Sequence, residues 1–425
     1  MTFFVRLLLL AVSLPLCIAV SSVAQTTVTG TVTDAGTPER FAIQNTTVLC
    51  SKQTESRFVL PKEKDGSRVC TQHIPGDSVT AIGTMKSGQL IADMIETKAP
   101  WATSVDGTAV IQLVEEPTSD HTTILHADGY RIRITPKTKQ RWAAPLIQGS
   151  MQPNVWLTYS GTQEVNGTVT ANEATFSQNE LSTREQNRNK KAEFDPSTVK
   201  ETDRQSGLSQ AFLGVNAKRI PAYDNSQMQQ RVSTIGARLI PSYQLSLPDT
   251  SPLRLNFRFQ VVDKKFNDAL TLSNGIILIP YQVVERLEND SQLATVLADN
   301  IACAMEKQTF RMVPTAAVIS NTAIAGAVAG AFVPGLGLVT GIGGSVAAAK
   351  MLKHAQEQSG RVSLTLLHDA GYDITQAPVA WWILSSHKRR TQTDIPYRAS
   401  YLYTQLATTW RTSLVEPANQ NPVKP

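Results

Sequence analysis

Two stretches of this chain carry one pattern: a strand, a glycine-containing turn and a second strand. In the first, Asp77-Ser78-Val79-Thr80-Ala81-Ile82-Gly83 leads through Lys86-Ser87-Gly88 to Leu90-Ile91-Ala92-Asp93-Met94-Ile95. In the second, Asn154 to Gly161 matches the 77–83 strand, and Gly167-Thr168-Val169-Thr170-Ala171-Asn172 matches 88–93. An internal repeat of this length fixes the unit of folding before anything else is known. Short alternating runs fill out each copy: Val28 to Val32, Phe41 to Ile43 and Thr47 to Leu49 in the first, and Ala109 to Leu113 and Tyr130 to Ile134 in the second. Strands this short, separated by glycine turns and almost free of helical period, build small barrels or sandwiches. The reading is two copies, 25–98 and 104–178, each a five- or six-strand barrel. Their strand–glycine–strand endings resemble the small OB-like β-barrel modules of exported bacterial proteins.

Residues 1–24 read as a secretory signal. Arg6 precedes an apolar run from Leu7 to Val20, and Ser22-Val23-Ala24 puts small residues at the cleavage site before Gln25. Leu16 before Cys17 does not suit a lipoprotein signal. The expected location is therefore periplasmic or extracellular, an oxidising compartment. Of the three cysteines that remain, Cys50 and Cys70 flank a polar stretch and are expected to pair. Cys303 sits in a helical pattern and reads as a small buried hydrophobe.

The chain has 40 Lys+Arg against 35 Asp+Glu over 425 residues, a surplus of +5 too dilute for a nucleic-acid protein. Trp101, Trp142, Trp156, Tyr130 and Tyr159 lie near Arg131, Arg133, Lys137 and Lys139, as a ligand-binding barrel would need. The plainer reading takes the rings as core and the charges as a solvated face. The negative mean hydropathy excludes a polytopic membrane protein. Residues 179–207 are charged, with few large apolar side chains, and read as a linker.

The period changes after that point. Met228, Val232, Ile235 and Leu239 share a helix face within 225–240, strands are expected over 254–262 and 275–279, and a helix runs from about Ser291 to Met305, capped by Asp290. Asn267-Asp268-Ala269 to Asn274-Gly275-Ile276-Ile277, followed by Leu293-Ala294-Thr295-Val296-Leu297-Ala298-Asp299-Asn300-Ile301-Ala302-Cys303, resembles the core of the HtpX-like (CAAX-prenyl-protease-like) zinc endopeptidases. His368-Asp369-Ala370-Gly371-Tyr372-Asp373 and the later Ser386-His387 extend the resemblance over about 220–410. It implies a mainly helical zincin-like metallopeptidase fold with a short β-sheet over 208–413, making the whole chain multidomain α+β with a disordered tail at 414–425.

The family's helix carries two histidines, four residues apart, that hold zinc, with a glutamate as general base; a later helix supplies a third ligand. The resemblance puts Asp299 and Cys303 at the histidines, Asn300 at the base and Gln356 at the third ligand, with Gln358 and Gly360 at further acidic positions and Glu357 one place off. The six histidines, His73, His121, His126, His354, His368 and His387, include no pair four apart. An amide cannot take a proton as the glutamate does. The expectation is a chain without catalytic residues, metal or cofactor, acting as a binding or scaffold protein in the bacterial envelope. Its partner would be a polypeptide or envelope protein rather than nucleic acid, and Asn274-Gly275 marks the edge where a peptide would add.

Two other readings stay open. Asp299 and Cys303 share a helix face, and with His354 or Glu357 would make an atypical zinc site in an active metalloendopeptidase. The other is a membrane-tethered assembly factor. Residues 312–349 hold no charge and are rich in Gly and Ala, with Pro334-Gly335 as a hairpin tip. Each arm is short for a ~30 Å bilayer core, so a hairpin packed on protein stands beside peripheral or hairpin membrane contact.

Overall fold

The structure is a computed structural model that describes residues 25–37, 39–59, 73–98, 104–209, 215–264, 268–311, 346–385 and 395–415. The signal segment 1–24, Cys70, Trp101, most of the uncharged stretch 312–349, Ser386-His387 and the tail from 416 lie outside these residues.

The chain is α+β and begins with two closed barrels. The first uses β1 (Thr26–Thr37), β2 (Arg40–Ile43), β3 (Thr46–Leu49), β4 (Glu55–Val59), β5 (Ser78–Lys86) and β6 (Gln89–Lys98), in the order β3-β2-β1-β5-β6-β4. A parallel β3–β6 pairing, Val48 opposite Leu90, closes five of them into a ring, and β4 adds to β6 from outside. The second uses β7 (Val105–Val114), β8 (Thr123–Ala127), β9 (Tyr130–Ile134), β10 (Lys139–Trp142), β11 (Trp156–Gln163) and β12 (Val169–Ser177) with the same connections, closed by a parallel β9–β12 pairing.

The repetition reaches single atoms. A bulge follows Ile82 at Gly83 and Ser160 at Gly161, and a Cβ at either glycine would strike the carbonyl of the facing strand, Ile91 or Thr170. Gly88 and Gly167 turn the hairpins at φ of 77° and 83°. The Thr54 hydroxyl donates to the Ala92 carbonyl at 2.8 Å, as the Thr138 hydroxyl does to Ala171 at 2.8 Å. Each barrel keeps its own core, Val32, Phe41, Val48, Leu90 and Ile95 in one and Ile111, Leu125, Ile132, Leu157 and Phe176 in the other.

From 179 onward the described residues are mainly helical around one small sheet. Helix α1 (Thr183–Ala192) starts with a Ser182–Glu185 capping box. The segment 179–207 is not a free tether: Phe194 packs against Val262, Leu270 and Ile276, and Arg204 pairs with Asp263 at 2.7 Å. Next come α2 (Ser226–Arg238), α3 (Ser242–Ser246), β13 (Arg258–Val262), β14 (Leu270–Thr271), β15 (Ile276–Pro280) and α4 (Tyr281–Arg286). Strand β15 lies between parallel β13 and antiparallel β14. Helix α5 (Asp290–Met305) follows, then α6 (Val346–Asp369), α7 (Gln376–Ser385), α8 (Tyr397–Thr408) and α9 (Arg411–Val415). The α5 cap is Asn289, whose side chain accepts from the Gln292 amide, and Asp290 falls in the first turn.

The barrels dock on the helices through glycines. A Cβ at Gly76 would lie 1.8 Å from the Tyr403 carbonyl oxygen, one at Gly129 2.4 Å from the Arg361 backbone, and one at Gly167 2.0 Å from the Thr409 carbonyl oxygen. All three glycines also have positive φ. Buried ion pairs lie beside them, Asp77 with Arg411 and Asp128 with Arg361. Gly76→Ala is expected to lower stability by about 2–4 kcal/mol through strain and separation of these surfaces. A denaturant melt checks this, and a loss below about 0.5 kcal/mol, the range of an ordinary surface substitution, would count against the contact.

Candidate functional site

Helix α5 is buried on every side, from Gln292 to Met305. Its Leu, Val and Ala positions pack against α2, α6, α7 and the sheet, so the polar residues it carries must find partners inside the protein. Asp299, Asn300 and Cys303 are each 0% exposed.

Each has one. The Asn300 Oδ1 accepts from the Thr271 hydroxyl on β14, and its Nδ2 donates to the Val296 carbonyl at 2.8 Å. Asp299 Oδ1 accepts from the Ser359 hydroxyl on α6 at 2.9 Å. Asp299 Oδ2 lies 2.6 Å from Arg398 Nη2 of α8, off the line of a hydrogen bond, so that contact is chiefly electrostatic. Arg398 Nη1 donates to Asp268 Oδ2 at 2.8 Å, and Asp268 Oδ1 accepts from the Ala269 amide. The guanidinium is also stacked on Trp381 of α7, its carbon 3.2 Å from the ring centroid. One cation therefore bridges two buried carboxylates and lies on an aromatic face.

The electrostatics follow from burial. Desolvation raises the Asp268 pKa to about 7; Arg398 opposes the rise and the Asp299 charge adds to it. Burial pushes the Cys303 thiol far above its ordinary range, with Asp299 adding, which is the opposite of the lowered pKa of an activated nucleophile.

The remaining positions do not converge here. On α6, Ser359 reaches Asp299, whereas Gln356, expected at the third ligand position, offers only a long contact from its carbonyl to that hydroxyl, 3.4 Å. Gln358 turns the other way, donating to the Thr108 carbonyl at 2.9 Å and to Asp128 at 3.2 Å. Glu357 accepts from the Tyr397 hydroxyl and lies 3.4 Å from His354, an exposed side chain, so neither joins Asp299 and Cys303. Among the described residues no three His, Cys, Asp or Glu side chains gather around a point where a metal would sit. The donor set that the resemblance leads one to expect does not suit zinc: the Asp299 carboxylate is held against a guanidinium, and the Asn300 amide, where that resemblance expects the general base, is bonded to Thr271 and Val296.

The expected peptide edge is also covered. Asn274, 8% exposed, and Gly275 form the turn between β14 and β15, and Asn274 Nδ2 donates to Glu193 Oε2 at 3.0 Å. The 179–207 segment thus lies over the turn where an added strand was expected. Cys50 carries no disulfide among the described residues, and its expected partner Cys70 lies outside them. The barrel aromatics are largely structural: Tyr130 and Tyr159 are core, and Trp142 stacks on Phe176 at 4.1 Å. Arg131, Arg133 and Lys139 pair with Glu115, Glu164 and Glu173.

Asp268, Ser359, Trp381 and Arg398 were not singled out from the sequence. Asp268 stood inside a stretch already noted beside the helix; Arg398, 130 residues away, has no local mark. A cleft of about 530 Å³ opens between the β7 end of the second barrel and α6, lined among others by Asp106, Arg311, His354 and Glu357, and it does not reach the Arg398 cluster. No family model matches the chain, and no curated protein is similar to it at a significant level.

Proposed function

We propose that this chain is an exported relative of the HtpX-like zinc metallopeptidases that has lost catalysis and acts as a binding or scaffold protein in the bacterial envelope. One observation carries the reading. Where the resemblance puts a zinc ion bound by α5, the side chain of Arg398 supplies a fixed cation between Asp299 and Asp268. A guanidinium offsets the charge of the carboxylates beside it, but it cannot activate water as a Lewis acid would. The strand β13, the strand β15 that follows Asn274-Gly275, and the later helix α5 are consistent with the strand, edge strand and helix that carry the resemblance, with the short helix α4 between β15 and α5. The closed barrels, with their parallel first-meander-to-last closure, support the OB-like reading of the first half.

The mature chain, purified without chelator, is expected to contain only substoichiometric zinc by elemental analysis and to leave casein intact. One zinc per chain together with cleavage that a chelator stops would overturn the reading and restore the atypical Asp/Cys site.

A further inference from the structure

We propose that the surface formed by α1 and the residues after α5 docks on a bilayer rich in anionic phospholipid, through its headgroups. This goes beyond the non-catalytic reading and stands independently of it.

Helix α1 buries none of its residues. A helix that is polar all round buries no apolar face of its own and leaves its charged face open to a partner. Arg184, Arg188 and Lys191 recur at the i, i+4, i+7 spacing of one face. That surface continues onto the turn after α5. Arg188 lies over the Phe310 ring at 5.8 Å, and Lys307 and Arg311 lie over Trp156 at 5.9 and 5.5 Å. Lys307 is tied down by the Glu180 carbonyl at 2.8 Å. The cations are close enough that Arg184 lowers the pKa of Arg188, after the larger effect of burial. Glu185 and Glu180, the two acids that act on Lys307, offset this charge only in part, standing against the five cations Arg184, Arg188, Lys191, Lys307 and Arg311.

Position selects the partner. The basic and aromatic surface sits where the sequence enters Met312 to Ala349, which contains no charged residue. Gln308 Nε2 donates to the Ala355 carbonyl at 2.9 Å, so the chain leaves the described body beside the helix by which it returns. Cations interleaved with tryptophan and phenylalanine next to an uncharged stretch suit a membrane surface, where apolar chain and anionic headgroups are both at hand. A soluble polyanion would meet only the charges.

The test is cosedimentation of the mature full-length chain with vesicles of phosphatidylcholine carrying increasing phosphatidylglycerol. Binding is expected to rise with phosphatidylglycerol and to fall with salt. Arg188→Gln, Lys307→Gln and Arg311→Gln are each expected to weaken partitioning about fivefold, with unchanged melting as the folding control. The wild-type dependence on phosphatidylglycerol tests the proposal even where a variant misfolds. Equal binding to pure phosphatidylcholine, no binding to any vesicle, or tighter binding to soluble polyphosphate than to the vesicles would each overturn it.

Discussion

Arg398→Met is expected to destabilise the protein by about 3–5 kcal/mol, because it leaves two buried carboxylates without their cation. The loss is expected to depend on pH in a particular direction. In the wild type, burial already holds the folded-state pKa of Asp268 at about 7, against 3.8 for the free group. Between these values the folded state keeps a proton that the unfolded state has released, so this group's contribution to stability falls as pH rises through the window. Removing Arg398 takes away the contact that opposes the shift. The variant is therefore expected to be weakest above about pH 7 and to recover towards pH 4–5, where Asp268 holds its proton. Denaturant melts of both proteins across that range check it, and Asp268→Asn in the variant background is expected to restore part of the loss. A deficit that stays flat with pH would mean that Arg398 matters for its packing on Trp381 and not for its charge.

The second large effect is expected at the seam between the second barrel and α6. Asp128 has no exposed surface and accepts from Arg361 Nη2 at 2.6 Å, the Tyr159 hydroxyl at 2.8 Å and Gln358 Nε2 at 3.2 Å. Arg361 also donates to the Tyr401 hydroxyl at 2.7 Å and lies over the Tyr130 ring. Arg361→Met keeps the length and apolar stem but strands a buried charge, again costing about 3–5 kcal/mol. Adding Asp128→Asn is expected to recover more than half of that, since a neutral amide still accepts from Tyr159 without carrying a charge. Hydrogen exchange at Tyr130 to Ile134 and along α6 is expected to rise together in the single variant. If the double variant is no better than the single one, the seam depends on shape, with Gly129 against the Arg361 backbone, and the ion pair is incidental.

These two arginines show where sequence reading stops. The barrels were legible because their information is local: alternation, glycine turns and a repeat that shows the same strands twice. Helix α5 was legible too, as a run of Leu, Val and Ala at helical spacing. What Asp299 does was not legible, because a carboxylate where the resemblance leads one to expect a histidine looks like decay until its partner is seen. That partner is on α8, and the partner of Asp128 is 233 residues away. No periodicity links residues so far apart. The linker was misread for a related reason. Its charges looked solvated, yet Glu193 is spent on Arg258 and Asn274, and Phe194 makes an apolar contact with the sheet.

The Asp77–Arg411 pair has a consequence in time. The two residues are 334 positions apart, and both are buried. A chain emerges from its N-terminus, so the first barrel can close its ring long before Arg411 exists. At synthesis rates of about 5–20 residues per second, the interval is on the order of 20–60 s. Throughout that period the rim around Gly76 and Asp77 is open to water, and the aspartate can ionise there without penalty. Only when the late helices arrive does burial require the arginine. The first barrel is thus complete early as a barrel and finished late as a surface, and until then that rim is open to a chaperone or a competing partner.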